Sequence, residues 1–193
     1  RKNGLTIPIV YNSSGYEKVE AIEALDGIVD IFLPDFKYIS SEMAARYSNA
    51  PDYPEVAKRA LAQMVKQTGD AKFDERDMMK RGVIVRHLIL PGHIKESKEA
   101  IRYLYETYGD QIYISIMNQY TPMPGIEKRF KNLGRTITQK EYDEVVDYAI
   151  DLGVENGFVQ EGETAKESFI PQFDDTGCAL CFLLISIEIW NKA

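Results

Sequence analysis

Apolar positions along the chain follow two alternating periods, which predict strands and helices in turn. Short apolar runs rich in β-branched residues predict strands at 5–11, 28–33, 83–90 and 112–117, with one more short strand at 156–160. Apolar residues that recur every three or four positions predict helices over 16–25, 55–67 and 97–108. Two further helices are predicted after a capping hydroxyl residue, one after Ser40 or Ser41, and one after Thr136 or Thr138 that runs to Leu152. The charged segment 71–81 is compatible with either a hairpin tip or a helical turn.

This alternation of strands and helices predicts the α/β class. A strand that follows each helix is expected to pair in parallel with the previous strand, through a right-handed crossover connection. A doubly wound sheet and a barrel share this pattern, so the periodicity does not choose between them. Both architectures bind ligands at the carboxyl ends of their strands, and that end is where candidate chemistry is expected.

Length and charge narrow the class of protein. The 193 residues suit one domain, and the formal net charge of −7 argues against a nucleic-acid partner, which requires a basic face. The apolar stretch 179–189 is interrupted by Ser186 and Glu188 and is too short to span a bilayer. Because no signal or transit peptide precedes the first strand, a cytoplasmic location is expected.

The two cysteines of the chain form a C-x-x-C pair at Cys178 and Cys181. Such a pair can be redox-active, or it can supply half of a zinc site. The two histidines, His87 and His93, lie far upstream, so we interpret the cysteines as small buried apolar residues.

Polar residues follow the predicted strands at their carboxyl ends, where parallel strands bring them to one rim. These residues are Asn12, Ser13 and Ser14 after the first strand, Asp35 and Lys37 after the second, Arg86 within the third and His93 after it, and Asn118, Gln119, Tyr120 and Thr121 after the fourth.

The charged residues of this rim have alternative interpretations. Asp35 and Lys37 are two positions apart, so they share a face and could bind a zwitterion or form a loop salt bridge. Arg86 lies inside an apolar strand and requires a carboxylate such as Asp35, a ligand, or the interior of a barrel, because an unpaired buried guanidinium is costly. His87 is expected to be packed and hydrogen-bonded, whereas exposure to solvent is favoured for His93.

Four segments together carry a family resemblance. They are IPIVYNSSGY at 7–16, VDIFLPDFK at 29–37, RHLILPG at 86–92 and MNQY at 117–120. In order and spacing, this series resembles radical S-adenosylmethionine (SAM) proteins related to the pyruvate formate-lyase activating enzyme. The resemblance implies an incomplete (β/α) barrel, a partial TIM-barrel-like fold with parallel strands and covering helices, over 1–160, followed by an extension over 161–193.

The resemblance also implies roles for individual residues. Asp35 and Lys37 match the D-x-K sequence that helps to hold SAM in the family, and Lys37 would meet its carboxylate. Arg86 matches an arginine placed to meet the cofactor. Ser13 and Ser14 occupy the turn near the sugar or the amino-acid part of SAM. The last cofactor contact of the family is a histidine, and this chain has Thr121 at about that position. Gln119 or Tyr120 would substitute for it.

The iron–sulfur ligands of the family have no counterpart in this sequence. The family motif of three cysteines, C-x-x-x-C-x-x-C, belongs before residue 1, so the resemblance implies that the chain is part of a longer protein. We therefore assign no metal ligand and no catalytic residue, and we expect the chain alone not to cleave SAM. The longer protein would be an oxidoreductase whose reduced [4Fe-4S] cluster passes one electron to SAM. The resulting deoxyadenosyl radical would abstract a hydrogen, with a glycyl-radical enzyme as a possible partner.

Two other functions remain open at this point. A Schiff-base, aldolase-like barrel enzyme could use Lys37, which would need a desolvated amine. A non-catalytic binding module could recognise a protein through the rim and the basic loop 127–135. In either case the first and last strands of an incomplete barrel expose unpaired edges, so we expect homo-oligomerisation or closure by the apolar tail.

Overall fold

The computed structural model of the chain describes residues 4–159 and one two-residue strand further on. The strands are β1 (Val10–Ser13), β2 (Ile31–Pro34), β3 (Lys72–Phe73), β4 (Met79–Leu88), β5 (Tyr113–Met117), β6 (Gly157–Val159) and β7 (Glu188–Ile189). The helices are α1 (Val19–Glu23), α2 (Ser41–Ser48), α3 (Tyr53–Thr68), α4 (Ile94–Tyr108) and α5 (Gln139–Leu152).

The strands form one sheet in the order β1-β2-β4-β5-β6-β7, and β3 pairs with β4. The pairs from β1 to β6 along this order are parallel, whereas β3 and β7 pair antiparallel with β4 and β6. The predicted α/β class, with parallel strands and covering helices, is therefore confirmed. The antiparallel β3 belongs to segment 71–81, for which a hairpin was one of the two expected forms, and β7 lies in the apolar tail.

The core lies on one face of this sheet. Alternate strand residues point to that face, and the residues that do so from β2, β4 and β5 are at most 2% exposed: Phe32, Val83, Val85, Ile114 and Ile116. The helices contribute the apolar residues that cover them: Ile22, Leu61, Met64, Ile101, Leu104 and Val145. The hydrophobic periodicity that predicted the helices therefore follows from packing on one side of the sheet.

The opposite face of the sheet is less covered. Val10 is 52% exposed, Asn12 is exposed, and Leu33, Ile84 and Arg86 are only partly buried. These residues alternate with the buried ones along their strands, so their side chains share this second face. The candidate site therefore lies at the rim of a partly open surface.

Two strands begin later than the sequence predicts. The first strand pairs with β2 only over Val10–Ser13, and Leu5 and Ile7, in the earlier part of the predicted run 5–11, are 44% and 67% exposed. Likewise β2 begins at Ile31, and Ile28 lies in a turn with 49% exposure. β-branched composition alone placed these residues in strands, but pairing with a neighbour fixes where a strand starts.

The charged segment 71–81 forms a hairpin, which is one of the two forms that its sequence allows. The Asp74 carboxylate accepts hydrogen bonds from the amides of Arg76 and Met78, and Lys80 pairs with it at 2.9 Å. This turn places β3 beside the start of β4.

The alternatives for two helix caps are also resolved, since Ser40 caps α2 and Thr138 caps α5.

Some predictions fall outside this part of the chain. Cys178, Cys181 and most of the extension 161–193 lie outside the described residues. Within the described residues, none of the helices combines the length and apolar character needed to cross a membrane.

Candidate functional site

The parallel register brings the charged rim residues to one level of the sheet. Asp35 forms a parallel bridge with Arg86, and its amide donates to the carbonyl of Ser13 in the strand on its other side. The Arg86 Nη2 lies 2.6 Å from the Asp35 Oδ1 and 2.7 Å from the Asn12 Oδ1. The Lys37 Nζ lies 3.7 Å from the Asp35 Oδ2. Three strands thus contribute to one cluster.

One carboxylate is shared by two cations in this cluster, which leaves a local surplus of one positive charge. The side chain of Lys37 is 43% exposed, and those of Asp35 and Arg86 are 26% and 21% exposed. The Arg86 Nε is buried without a hydrogen-bond partner among the described residues. The exposed Lys37 ammonium therefore keeps donors free to bind an anionic group, whereas the Arg86 Nε is not open to solvent.

Asp35 was the carboxylate suggested as a structural partner for Arg86, and the ion pair between them confirms that pairing. The burial of the guanidinium within an apolar strand is offset by this ion pair and by the side chain of Asn12. The pairing accounts for the arginine without a ligand, but it leaves Nε unused.

The turn after β1 uses both of its serine hydroxyls. The Ser13 Oγ accepts from the Gly15 amide and donates to the Glu17 carboxylate, each at 3.2 Å, and the Ser14 Oγ accepts from the Tyr16 amide at 3.4 Å. Burial raises the pKa of Glu17, the hydrogen bond from Ser13 opposes this shift, and the charge of Asp35 adds to it. In this structure Ser13 and Ser14 therefore order the turn beside the charged cluster.

Gly15 allows this turn to approach the next strand. Its φ is +76°, and a Cβ at this position would collide with the carbonyl oxygen of Asp35. Only glycine adopts such a φ without strain, and no side chain fits in the space. Gly15 therefore fixes how closely the serine turn lies against Asp35.

Tyr53, from the first turn of α3, ties the two rim loops together. Its hydroxyl oxygen lies 2.9 Å from the carbonyl oxygens of Ser14 and Asp35, to which the hydroxyl donates, and it accepts from the Lys37 amide at 2.9 Å. Tyr53 is 3% exposed, and burial raises the pKa of its hydroxyl, which therefore stays protonated. This hydroxyl holds the backbone on both sides of the charged cluster.

Replacing Tyr53 with phenylalanine is expected to lower the free energy of unfolding by about 2 kcal/mol, because buried backbone groups would lose their partner. Denaturant unfolding of the 193-residue chain measures this loss. Tyr16→Phe is the matched control, since Tyr16 is 42% exposed and its hydroxyl bonds an exposed Asp52. Equal losses in the two variants would show that the Tyr53 hydroxyl does not hold these loops.

Gln119 is not part of the charged cluster. It lies half-buried two residues beyond the end of β5, and in the part of the chain described no hydrogen bond joins it to Asp35, Lys37 or Arg86. The preceding residue, Asn118, is 8% exposed. The structure thus brings Asp35, Lys37 and Arg86 together with the serine turn. The cofactor contact assigned to Gln119 stays a prediction.

The two histidines lie in different surroundings. His87 is 1% exposed, its Nδ1 lies 2.7 Å from the Phe36 carbonyl oxygen, and its Nε2 has no partner among the described residues. Burial lowers the pKa of His87, so the ring is packed as predicted. His93 is half-buried rather than exposed, with its Nε2 2.8 Å from the Tyr47 hydroxyl, and burial and Arg46 lower its pKa.

Glu17 and Tyr53 belong to the site but were not predicted to do so. Asn12 was predicted to lie at the rim, since it follows an apolar run at a carboxyl end, but no role was assigned to it. Glu17 and Tyr53 gave no signal, because Glu17 lies in a predicted helix and Tyr53 in the connection before one.

No group of three or more histidine, cysteine, aspartate or glutamate residues that could hold a metal ion occurs within the described residues. We assign no metal ligand to them.

Comparison with known proteins gives one distant relative. No protein-family model matches the chain. It is 31% identical over 143 residues to an uncharacterized protein of the archaeon Methanocaldococcus jannaschii. The match covers 74% of this chain and 38% of the archaeal protein, so the chain spans well under half of that relative's length.

Proposed function

We propose that this chain forms part of an incomplete (β/α) barrel of a radical SAM protein, related to the pyruvate formate-lyase activating enzyme, and that its rim binds SAM. The observation that carries the proposal is the cluster of Asp35, Lys37 and Arg86 at the carboxyl ends of neighbouring parallel strands. The activity, substrate and partner of the whole protein are part of this proposal.

The order of the strands supports a barrel over a doubly wound sheet. The successive parallel strands β1, β2, β4, β5 and β6 are neighbours in the sheet in the same order as in the chain. A doubly wound sheet reverses its strand order at a switch point, whereas a barrel adds each strand beside the last. The helices also cover the face opposite to Arg86, as an outer ring of helices would.

The charged cluster fits the amino-acid part of SAM. Lys37, with a 43% exposed side chain, and the guanidinium of Arg86, with a 21% exposed side chain, offer donors to a carboxylate, and Asp35 offers an acceptor to an ammonium group. Within the longer protein, SAM bound to a reduced [4Fe-4S] cluster would supply a radical for hydrogen abstraction. The described residues offer no ligand set for the cluster, and we derive no step through it.

The surroundings of Lys37 favour ligand binding over Schiff-base chemistry. A Schiff-base lysine needs an amine that loses its proton readily, which desolvation promotes. Lys37 is instead open to solvent, with a side chain 43% exposed, and its Nζ lies 3.7 Å from the Asp35 carboxylate rather than in an apolar pocket.

Calorimetric titration of the 193-residue chain with SAM tests the proposal. We expect Lys37→Met and Arg86→Met each to weaken SAM binding about tenfold or more, because each variant removes a charge-assisted hydrogen bond to the carboxylate. Methionine should compete for the same site, since it carries the same charged groups.

Lys98→Met is the matched control for this titration. Lys98 pairs with Glu144 at 2.8 Å on α4 and α5, away from the rim, so its loss should leave SAM binding unchanged. Circular dichroism shows whether each variant stays folded. Absence of SAM binding by the folded wild-type chain, or equal binding by all three variants, would overturn the proposed site.

A further inference from the structure

The basic loop 127–135 is an ordered structure rather than a loosely solvated run of charges. It contains two short 3₁₀ helices, Ile126–Lys128 and Lys131–Gly134. The amides of Arg129 and Phe130 donate to the Ile126 carbonyl, and Leu133 is buried at 5% exposure. The Tyr120 hydroxyl donates to the Leu133 carbonyl at 2.9 Å. The loop therefore presents its outward side chains from a fixed backbone.

Phe130 joins this loop to helix α2. Its ring lies 4.9 Å from that of Tyr47, edge to face, and the guanidinium carbons of Arg46 and Arg129 lie 5.9 and 5.2 Å from the Phe130 ring centre. Two arginines from separate elements are thus held against one aromatic ring. Together with the neighbouring lysines they form a surface that we name the arginine–aromatic patch, made up of Arg46, Tyr47, Lys128, Arg129, Phe130 and Lys131.

Among the described residues, the cations of the arginine–aromatic patch have no carboxylate partner. Arg46, Lys128, Arg129 and Lys131 are all exposed, and none forms an ion pair with another described residue. Arg135, at the end of the same loop, does pair with Glu141, which shows that carboxylates are available nearby. The chain has a net charge of −7, so this cluster of unpaired cations gives the surface a local charge of opposite sign.

The geometry of the patch suits carboxylate groups on a peptide. A guanidinium stacked on an aromatic ring keeps its N–H donors available in its own plane, where they can bind a carboxylate in bidentate fashion. The half-buried rings of Tyr47 and Phe130 offer an apolar contact between the charges.

We propose that the arginine–aromatic patch binds an acidic segment of a partner protein, with carboxylates on Arg46 and Arg129 and an apolar side chain against Phe130. A nucleic acid fits less well, because a polyphosphate needs a continuous basic face. Here the exposed carboxylates of Glu42 and Glu127 interrupt the positive charge. This inference goes beyond SAM binding and does not depend on it.

Fluorescence anisotropy with the 193-residue chain tests the inference. The probe is a fluorescein-labelled peptide of glutamate and aspartate with a central phenylalanine, and a second peptide replaces every acid with its amide. We expect the wild-type chain to bind the acidic peptide at least about tenfold tighter than the amide peptide, and we expect Arg46→Glu with Arg129→Glu to abolish that preference.

A double variant elsewhere controls for the change in net charge. Lys66 and Arg102 are exposed on α3 and α4, so Lys66→Glu with Arg102→Glu makes the same charge change and should keep the preference. Arg46→Gln with Arg129→Gln tests the patch without charge reversal, should a melting curve show that the first variant is unfolded.

Three results would overturn the inference. They are equal binding of the two peptides by the wild-type chain, equal loss in the control variant, and tighter binding of a labelled oligothymidylate than of the acidic peptide. SAM titration of the patch variants should match wild type, so failure here is distinguishable from failure of the proposed function.

Discussion

Gly15→Ala is expected to lower the free energy of unfolding by about 3 kcal/mol, since two costs add at this position. Alanine at a φ of +76° is strained, and its Cβ would also collide with the carbonyl oxygen of Asp35. The turn after β1 would have to move away from β2, and the bonds that the Tyr53 hydroxyl makes to both loops would lengthen. Chemical denaturation of the variant beside wild type measures the loss.

Gly27→Ala separates these two costs. Gly27 has a similar φ of +70°, but nothing lies within 4 Å of the position that a Cβ would take. The control should therefore lose only the conformational cost, about 1 kcal/mol. Equal losses in the two variants would mean that the close approach of Gly15 to Asp35 does not constrain the turn.

The stability of the protein is expected to fall with pH below about 6.5 because of His87. Burial lowers the pKa of this histidine in the folded state, while the hydrogen bond to Phe36 and the charge of Asp35 oppose the shift. The unfolded chain therefore takes up the proton first, and acid favours unfolding. The linkage contributes up to about 1.4 kcal/mol for each pH unit between the unfolded and the lowered folded pKa.

His87→Asn should remove this part of the pH dependence. The asparagine amide can still donate to the Phe36 carbonyl oxygen in place of Nδ1, but it does not titrate. Unfolding free energies measured from pH 8 down to about 5 should fall less steeply for the variant than for wild type. His93→Asn is the comparison, because His93 is half-buried and its pKa is also lowered. Parallel curves for wild type and His87→Asn would contradict the assignment.

The sequence predicted the helices better than the strands, for a physical reason. The cap hydroxyls of Ser40 and Thr138 act on nearby backbone amides, so their signal is local. The start of β2 depends instead on pairing with residues far away in the chain, and Ile28 lies outside the strand although it is apolar and β-branched. The hairpin β3–β4 was ambiguous because its turn is held by charged side chains rather than by an apolar pattern.

The charged part of the candidate site was predictable because parallel strands end at one rim. Asp35 and Arg86 lie 51 positions apart, and the register alone brings them level. Tyr53 could not be found in this way, since its hydroxyl bonds backbone atoms, which leave no trace in the sequence. Gln119 was placed by analogy with a family position, and its role as a cofactor contact stays a prediction.

The place of Arg86 in the longest strand has a consequence for the dynamics of the rim. β4 pairs with β2, β3 and β5, so its amides should be among the slowest to exchange their hydrogens with deuterated solvent. Lys37 extends from a loop after β2 and is held mainly through its backbone amide. Arg86 is therefore anchored in the part of the sheet expected to be most protected from exchange. The side chain of Lys37 can instead adjust its position to the shape of a bound ligand.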